Sequence, residues 1–296
     1  MTKQATQKKL YARHGEATDA LAGINPNNKN RIVINEDADK AIFHQEGIEV
    51  TVSKYSETQA SIGVNVHKLL TFGIIKFTSL FDRQKLGDIY EVHFSIDEYI
   101  RITGGDIPAD RNKRRRKRNE MQKRLRRELM LLQSIRLTST NGKDFESINI
   151  ICRTAVKSGS VTIEFFRPFA EYLLHQPKTI IHPLLLRINA RSRTAYAIGL
   201  KCVEHYRMNI RRNTSAARKL TIKYILKHSP LPDYESVLRD GRSWTERIRL
   251  PFEKALDELV TTGLFLNWQY DRPASSIINY QTFENTMILF EIAPDD

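Results

Sequence analysis

Cysteine is scarce in this sequence: Cys152 and Cys202 are the only two in 296 residues. Lying so far apart, they make neither a disulfide framework nor a metal-ligand set. They suit a reducing compartment and read as small core hydrophobes. No uninterrupted apolar run approaches the ~20 residues of a membrane-spanning helix. The first twenty residues hold no apolar core of a signal peptide, so an intracellular, cytoplasmic protein without a membrane partner is expected. No GxxxxGKS or GxxxxGKT loop is present, which removes the usual phosphate cradle of nucleotide hydrolysis.

The eight histidines are His14, His44, His67, His93, His175, His182, His205 and His228. None belongs to an HExxH, none begins an H-x-x-R, and no two stand one residue apart. Zinc-protease, tyrosine-recombinase and rolling-circle nickase chemistry therefore lack their residues. The acidic pairs Asp106/Asp110 and Asp233/Glu235 fall at turns and read as helix caps, not as a two-metal nuclease site. The expectation is a protein with no catalytic activity, no metal and no cofactor.

Negative charge is also in short supply. Against 34 Asp and Glu stand 47 Lys and Arg, a formal net charge of +13. Such an excess points to a polyanionic partner, nucleic acid first and acidic membrane surface second. The excess is concentrated in residues 111–132, RNKRRRKRNEMQKRLRRELMLL, where eleven of the first seventeen residues are Lys or Arg. Met121, Leu125, Leu129 and Leu132 recur there at three or four residues, one apolar stripe on a helix otherwise covered by cations. The first two turns carry no apolar residue, so the helix is anchored by its C-terminal half and leaves a cationic N-terminal half bare. That is the form of a recognition helix entering a DNA groove. The plain alternative is a solvated basic face that only aids solubility. The density of charge and the anchoring stripe favour contact with double-stranded DNA, and Arg111, Lys113, Arg114, Arg115, Arg116, Arg118, Lys123 and Arg124 are the candidate contacts.

The length suits two domains. Residues 1–46 are polar and read as a loosely ordered N-terminal arm, with 31–35 (RIVIN) a candidate short strand. A strand follows at 47–53, then a core-facing helix at 58–77 and a strand at 89–94. Ser95 with Glu98 three residues on is a capping box opening a short helix to Ile102. After the basic helix come strands at 135–139, 145–155 and 160–166, with Asn141-Gly142 and Lys157-Ser158-Gly159 as turns. Helix, strand, short helix, basic helix and hairpin is the order of a winged helix, assigned to residues 47–176.

A change of character at Gln176-Pro177 marks the boundary, and residues 177–296 repeat the order. Helices are expected at 190–209, 220–228 (capped by Thr221) and 233–239. A longer pattern at 243–262 contains Pro251, which should kink or split it. Strands at 264–270 and 286–292 form a second wing. Arg242, Arg247, Arg249 and Lys254 beside the longer helix, and Arg272 near the wing tip, are the candidate DNA contacts of this half. The fold class is therefore α+β, two tandem winged-helix domains behind an N-terminal arm.

Several segments resemble the theta-type plasmid replication initiators that bind iterons. Residues 160–174 (SVTIEFFRPFAEYLL) look like the end of that family's first winged helix, and residues 187–206 (RINARSRTAYAIGLKCVEHY) like the long helix opening the second. Residues 220–229 with 244–270 (WTERIRLPFEKALDELVTTGLFLNWQY) are similar to its C-terminal DNA-reading helix and wing. The resemblance covers about residues 47–296. It implies binding to direct repeats at an origin as a monomer, opening of the adjacent duplex, recruitment of host replication proteins, and also a homodimer, formed through the first domain, that represses its own gene. The rival reading is a dimeric winged-helix transcriptional regulator on a palindromic operator, which differs in the symmetry of its DNA site.

Overall fold

The computed structural model describes residues 10–13, 18, 21, 32–45, 48–59, 62–83, 90–139 and 147–294. The first half runs β1 (Leu10–Arg13), β2 (Ile32–Asn35), β3 (Lys40–Gln45), β4 (Ile48–Ser53), a short turn α1 (Tyr55–Thr58) and the long α2 (Val64–Asp82). It continues with β5 (Glu91–Ser95), α3 (Ile96–Ile102), the basic helix α4 (Arg111–Ser134), β6 (Ile135–Ser139), β7 (Ser147–Asn149), β8 (Ile151–Lys157) and β9 (Ser160–Phe165). Helix α5 (Arg167–His175), β10 (Lys178–Ile181) and α6 (Pro183–Arg187) close it. The second half holds α7 (Arg193–Asn209), α8 (Thr214–Ala217), β11 (Lys219–Thr221), α9 (Ile222–Lys227), α10 (Tyr234–Arg239), α11 (Leu250–Thr261), β12 (Phe265–Tyr270), α12 (Tyr280–Glu284) and β13 (Met287–Ile292).

Local chemistry sets most helix starts. Ser95, Asp110, Thr221 and Asp233 each accept a hydrogen bond from the backbone N–H three residues on, at 3.0, 2.8, 3.4 and 2.8 Å. These bonds satisfy donors that a helix N-terminus leaves open. Pro251 does split the expected 243–262 helix. It has no N–H to return to the preceding turn, and residues Thr245–Arg249 form a wider π turn in which the Leu250 N–H reaches the Thr245 carbonyl.

Two three-stranded antiparallel sheets share one topology. In β5-β9-β8 and in β11-β13-β12 the last strand in sequence sits between the other two. Each sheet belongs to a run of helix, strand, helices and hairpin, so the winged-helix order occurs twice. The apolar residues form two clusters. The first takes Ala12 through Leu186 and the second takes Leu185 through Ile292, with Val64 of α2 reaching into it. The boundary expected at Gln176-Pro177 falls between α5 and β10, yet Ile181 still packs in the first cluster.

Three expectations need correction. Residues 145–155 are not one strand. Ser147–Asn149 pairs with β6, whereas Ile151–Lys157 pairs with β9, so the chain changes sheets at the buried Ile150. The arm is less loose than its polar composition suggested. β2 and β3 join β4, β6 and β7 in a five-stranded antiparallel sheet that buries Ala41 and Phe43, and β1 pairs with β10. Cys152 is exposed, because a register shift between Ile151 and Arg153 turns it outward. Cys202 is buried as expected. The Asn141-Gly142 turn lies outside the described residues.

Candidate nucleic-acid interface

The interface begins with how α4 is held. Leu125, Leu129 and Leu132 are fully buried and Met121 packs partly against them, so the stripe anchors the C-terminal half as its periodicity predicts. The N-terminal half projects past this anchor. Among the described residues, no hydrogen bond or ion pair engages the side chains of Arg111, Lys113, Arg115 or Lys123, and all four are exposed. Arg116 is also exposed and, among the described residues, forms a surface pair with Glu120 at 3.1 Å and no other, a kind of pair worth little in water.

The other three candidates of this half are committed to the protein. Arg114 donates from Nε to the Pro108 carbonyl at 3.1 Å, and its neighbour Lys117 donates to the Asp106 carbonyl, so both tie down the loop before the helix. Arg118 forks onto both Asp97 oxygens, one at 2.6 Å, pinning α3 to α4. That hydrogen-bonded guanidinium holds the Asp97 carboxyl below the usual carboxylate range. Arg124 faces inward to Glu128, its Nε 3.1 Å from Oε1.

The wing lies beside this helix. Arg126 of α4 donates to the Val156 carbonyl of β8 at 3.4 Å. The β8–β9 turn places Ser158 and Gly159 at φ 49 and 81, the left-handed pair of a tight hairpin, with Lys157 exposed at its start. Lys157 and Arg126 were not among the candidates, although the sequence marked the turn that presents Lys157.

The second half has the same arrangement on different side chains. Arg242, Arg247 and Lys254 are exposed, and among the described residues nothing hydrogen-bonds or pairs with them. Arg249 is a clamp. Its Nε meets Glu253 Oε1 at 2.9 Å, and a terminal nitrogen donates to the Ile277 carbonyl in the β12–β13 connection at 3.2 Å. The same Glu253 oxygen accepts from the Tyr270 hydroxyl at 2.7 Å, and burial pushes that phenol's pKa up. Helix and wing are thereby fixed to each other. Arg272 is exposed on that connection and pairs with Asp271 at 3.3 Å. Lys254 shares a cleft with Arg191, which lies two residues before α7 and was not a candidate.

Seven cations, free among the described residues, therefore sit on or before α4 and α11, the helices that precede the hairpins of two like-topology units, most of them toward the N-terminal ends. Aligned N–H groups make such helix ends electropositive in their own right, which suits phosphate oxygens. Among the described residues no group of three His, Cys, Asp or Glu side chains could hold a metal ion, and no helix is long and apolar enough to cross a membrane.

No family model matches the chain, and no curated protein matches it in sequence. Solved structures do. The Pi initiator protein, crystallised in complex with iteron DNA, superposes with a TM-score of 0.51 at 11% identity, over 84% of this chain and 99% of that one. Two structures of RctB domains 2 and 3 give TM-scores of 0.40 and 0.41, each at 11% identity, over 82% and 88% of this chain and 86% and 90% of theirs. The likeness to Pi is one of fold.

Proposed function

We propose that this chain is a sequence-specific, duplex-DNA-binding replication initiator of a plasmid or similar element, acting in the cytoplasm on origin repeats. The observation that carries this reading is the pair of like-topology units, each baring cations, unpaired among the described residues, on or before the helix that precedes its hairpin. The fold shared with Pi supports it, since that protein was crystallised with iteron DNA. Once bound, the protein opens the adjacent duplex and recruits host replication proteins, with no catalytic step, metal or cofactor of its own.

Two heads on one chain reach successive major-groove faces, about 34–36 Å apart along one side of the duplex. Arginine forks on guanine edges would supply sequence choice, each worth about 1–3 kcal/mol of discrimination. Phosphate contacts supply the bulk of affinity. If each of the seven free cations neutralises one phosphate, log K against log salt has a slope of about −6.

Selection of bound duplexes from random DNA and from the source's own DNA tests the reading. Enrichment of a non-palindromic site that recurs in tandem supports an initiator. A single palindrome would make the protein a dimeric regulator, and tight low-salt binding without any enrichment would refute both.

A further inference from the structure

Three ionisable side chains are buried on helices α2, α3 and α4 of the first unit. Lys68 of α2 and Glu128 of α4 are each only 3% exposed. Tyr99 of α3 is fully buried beside them. Charges this deep persist only when other groups compensate them. Here the compensation forms a chain across the molecule. Arg124 pairs with Glu128 one turn on at 3.1 Å. Helix α4 packs directly on α2, which carries Lys68, and the Glu128 side chain favours the charged form of that lysine. The Lys68 ammonium then donates to the backbone carbonyl of Ile188, in the segment joining α6 to α7. The same ammonium lies 5.8 Å from the ring centre of Tyr196 in α7.

This contact does not stand alone at the junction. Tyr196 and His67 hydrogen-bond at 2.7 Å, and Arg193 donates to the Ile62 carbonyl at 2.8 Å. His67 Nε2 lies 3.0 Å from the Thr18 carbonyl, an acceptor only, so Nε2 carries the proton and Nδ1 accepts from Tyr196. Lys68 differs from these neighbours in one respect. Through the packing of α2 on α4 it connects the segment between the heads to the helix whose other end bares Arg111, Lys113 and Arg115.

We propose that Lys68 and Glu128 are positioning residues that fix the spacing of the two DNA-reading heads, with the Lys68 ammonium gripping the Ile188 carbonyl. The proposal rests on the reading of the chain as a two-headed duplex binder. Its physical content is preorganisation. Heads held at one spacing bind a matched site as one rigid body, whereas loosened heads lose the effective-concentration gain of linkage and tolerate altered sites.

The test uses the full chain with Lys68→Met, close in length and uncharged, and with Glu128→Gln, which keeps the shape. Each is assayed on the selected site, on the two half-sites separately, and on sites with one to five base pairs inserted between the halves. The expected result is a 10- to 100-fold loss on the intact site, half-site affinities within twofold of wild type, and weaker discrimination against the inserted sites. Unchanged intact-site affinity and spacing preference would overturn the proposal, and so would equal losses on half-sites and intact site.

A measurement without DNA gives a second criterion. Spin labels on Lys157→Cys and Arg212→Cys, in a Cys152→Ser background, should report one narrow inter-head distance that Lys68→Met broadens. An unchanged distribution in a folded variant would likewise overturn it. Failure of the wild-type protein to select any duplex would instead remove the functional reading and leave the distance measurement standing.

Discussion

Replacing Arg111, Lys113 and Arg115 together by alanine removes three cations that make no hydrogen bond or ion pair among the described residues. No hydrogen bond or ion pair among the described residues is lost with them, so thermal stability should barely change. If each neutralises one phosphate, the salt dependence of duplex binding should flatten by about 2.7, three times the 0.9 released per contact. Extrapolated from a common value at 1 M salt, that flattening amounts to roughly 100-fold weaker binding at 0.15 M. The assay is a titration of labelled duplex by fluorescence anisotropy at four or five salt concentrations. Arg118→Ala is the control, because Arg118 forks onto Asp97 and its loss should loosen α3 from α4 instead. An unchanged slope in the triple variant would show that the bare end of the helix is a solvated face, and would refute the reasoning.

Further outcomes follow from the same geometry. Leu125→Ala should destabilise the first unit by about 2–5 kcal/mol in urea denaturation, since the side chain is fully buried under α4; ordinary stability would remove the anchor. Arg249→Lys keeps the charge but cannot fork between Glu253 and the Ile277 carbonyl. Amide exchange around Ile277 should rise while the salt slope of binding stays put, and a flattened slope would mean that Arg249 touches phosphate.

Two buried groups give opposite pH signatures. Burial holds the Glu128 carboxyl protonated up to about 7 against its ordinary 4.5, although Arg124, Arg127 and Lys68 pull the other way. The native state thus keeps a proton that the unfolded chain has lost, so this contribution is full below 4.5 and is lost as pH rises through 7. Lys68 is lowered by burial and by Arg124, against the pull of Glu128, from 10.5 to about 8, so its contribution is full above 10.5 and is lost as pH falls through 8. Glu128→Gln should therefore gain on wild type by up to about 3 kcal/mol between pH 4.5 and 8 in urea denaturation. A difference that stays constant with pH would contradict this.

What the sequence determined by itself was local. The basic helix, its apolar stripe and the caps at Ser95, Thr221 and Asp233 could be read because each depends on residues within one or two turns. The repeated winged-helix order followed from the same periodicities, as did the split at Pro251. Tertiary structure decided which cations are free. Arg118 finds Asp97 across 21 positions and Arg249 finds Ile277 across 28, distances over which spacing carries no information about partners. It also decided that residues 147–157 serve two sheets, that β1 closes on β10, and that Cys152 faces solvent. Charge density named the region proposed here to meet a polyanion. Only packing, which commits one arginine to a carboxylate and leaves the next bare, separates side chains that hold the protein together from those available to DNA.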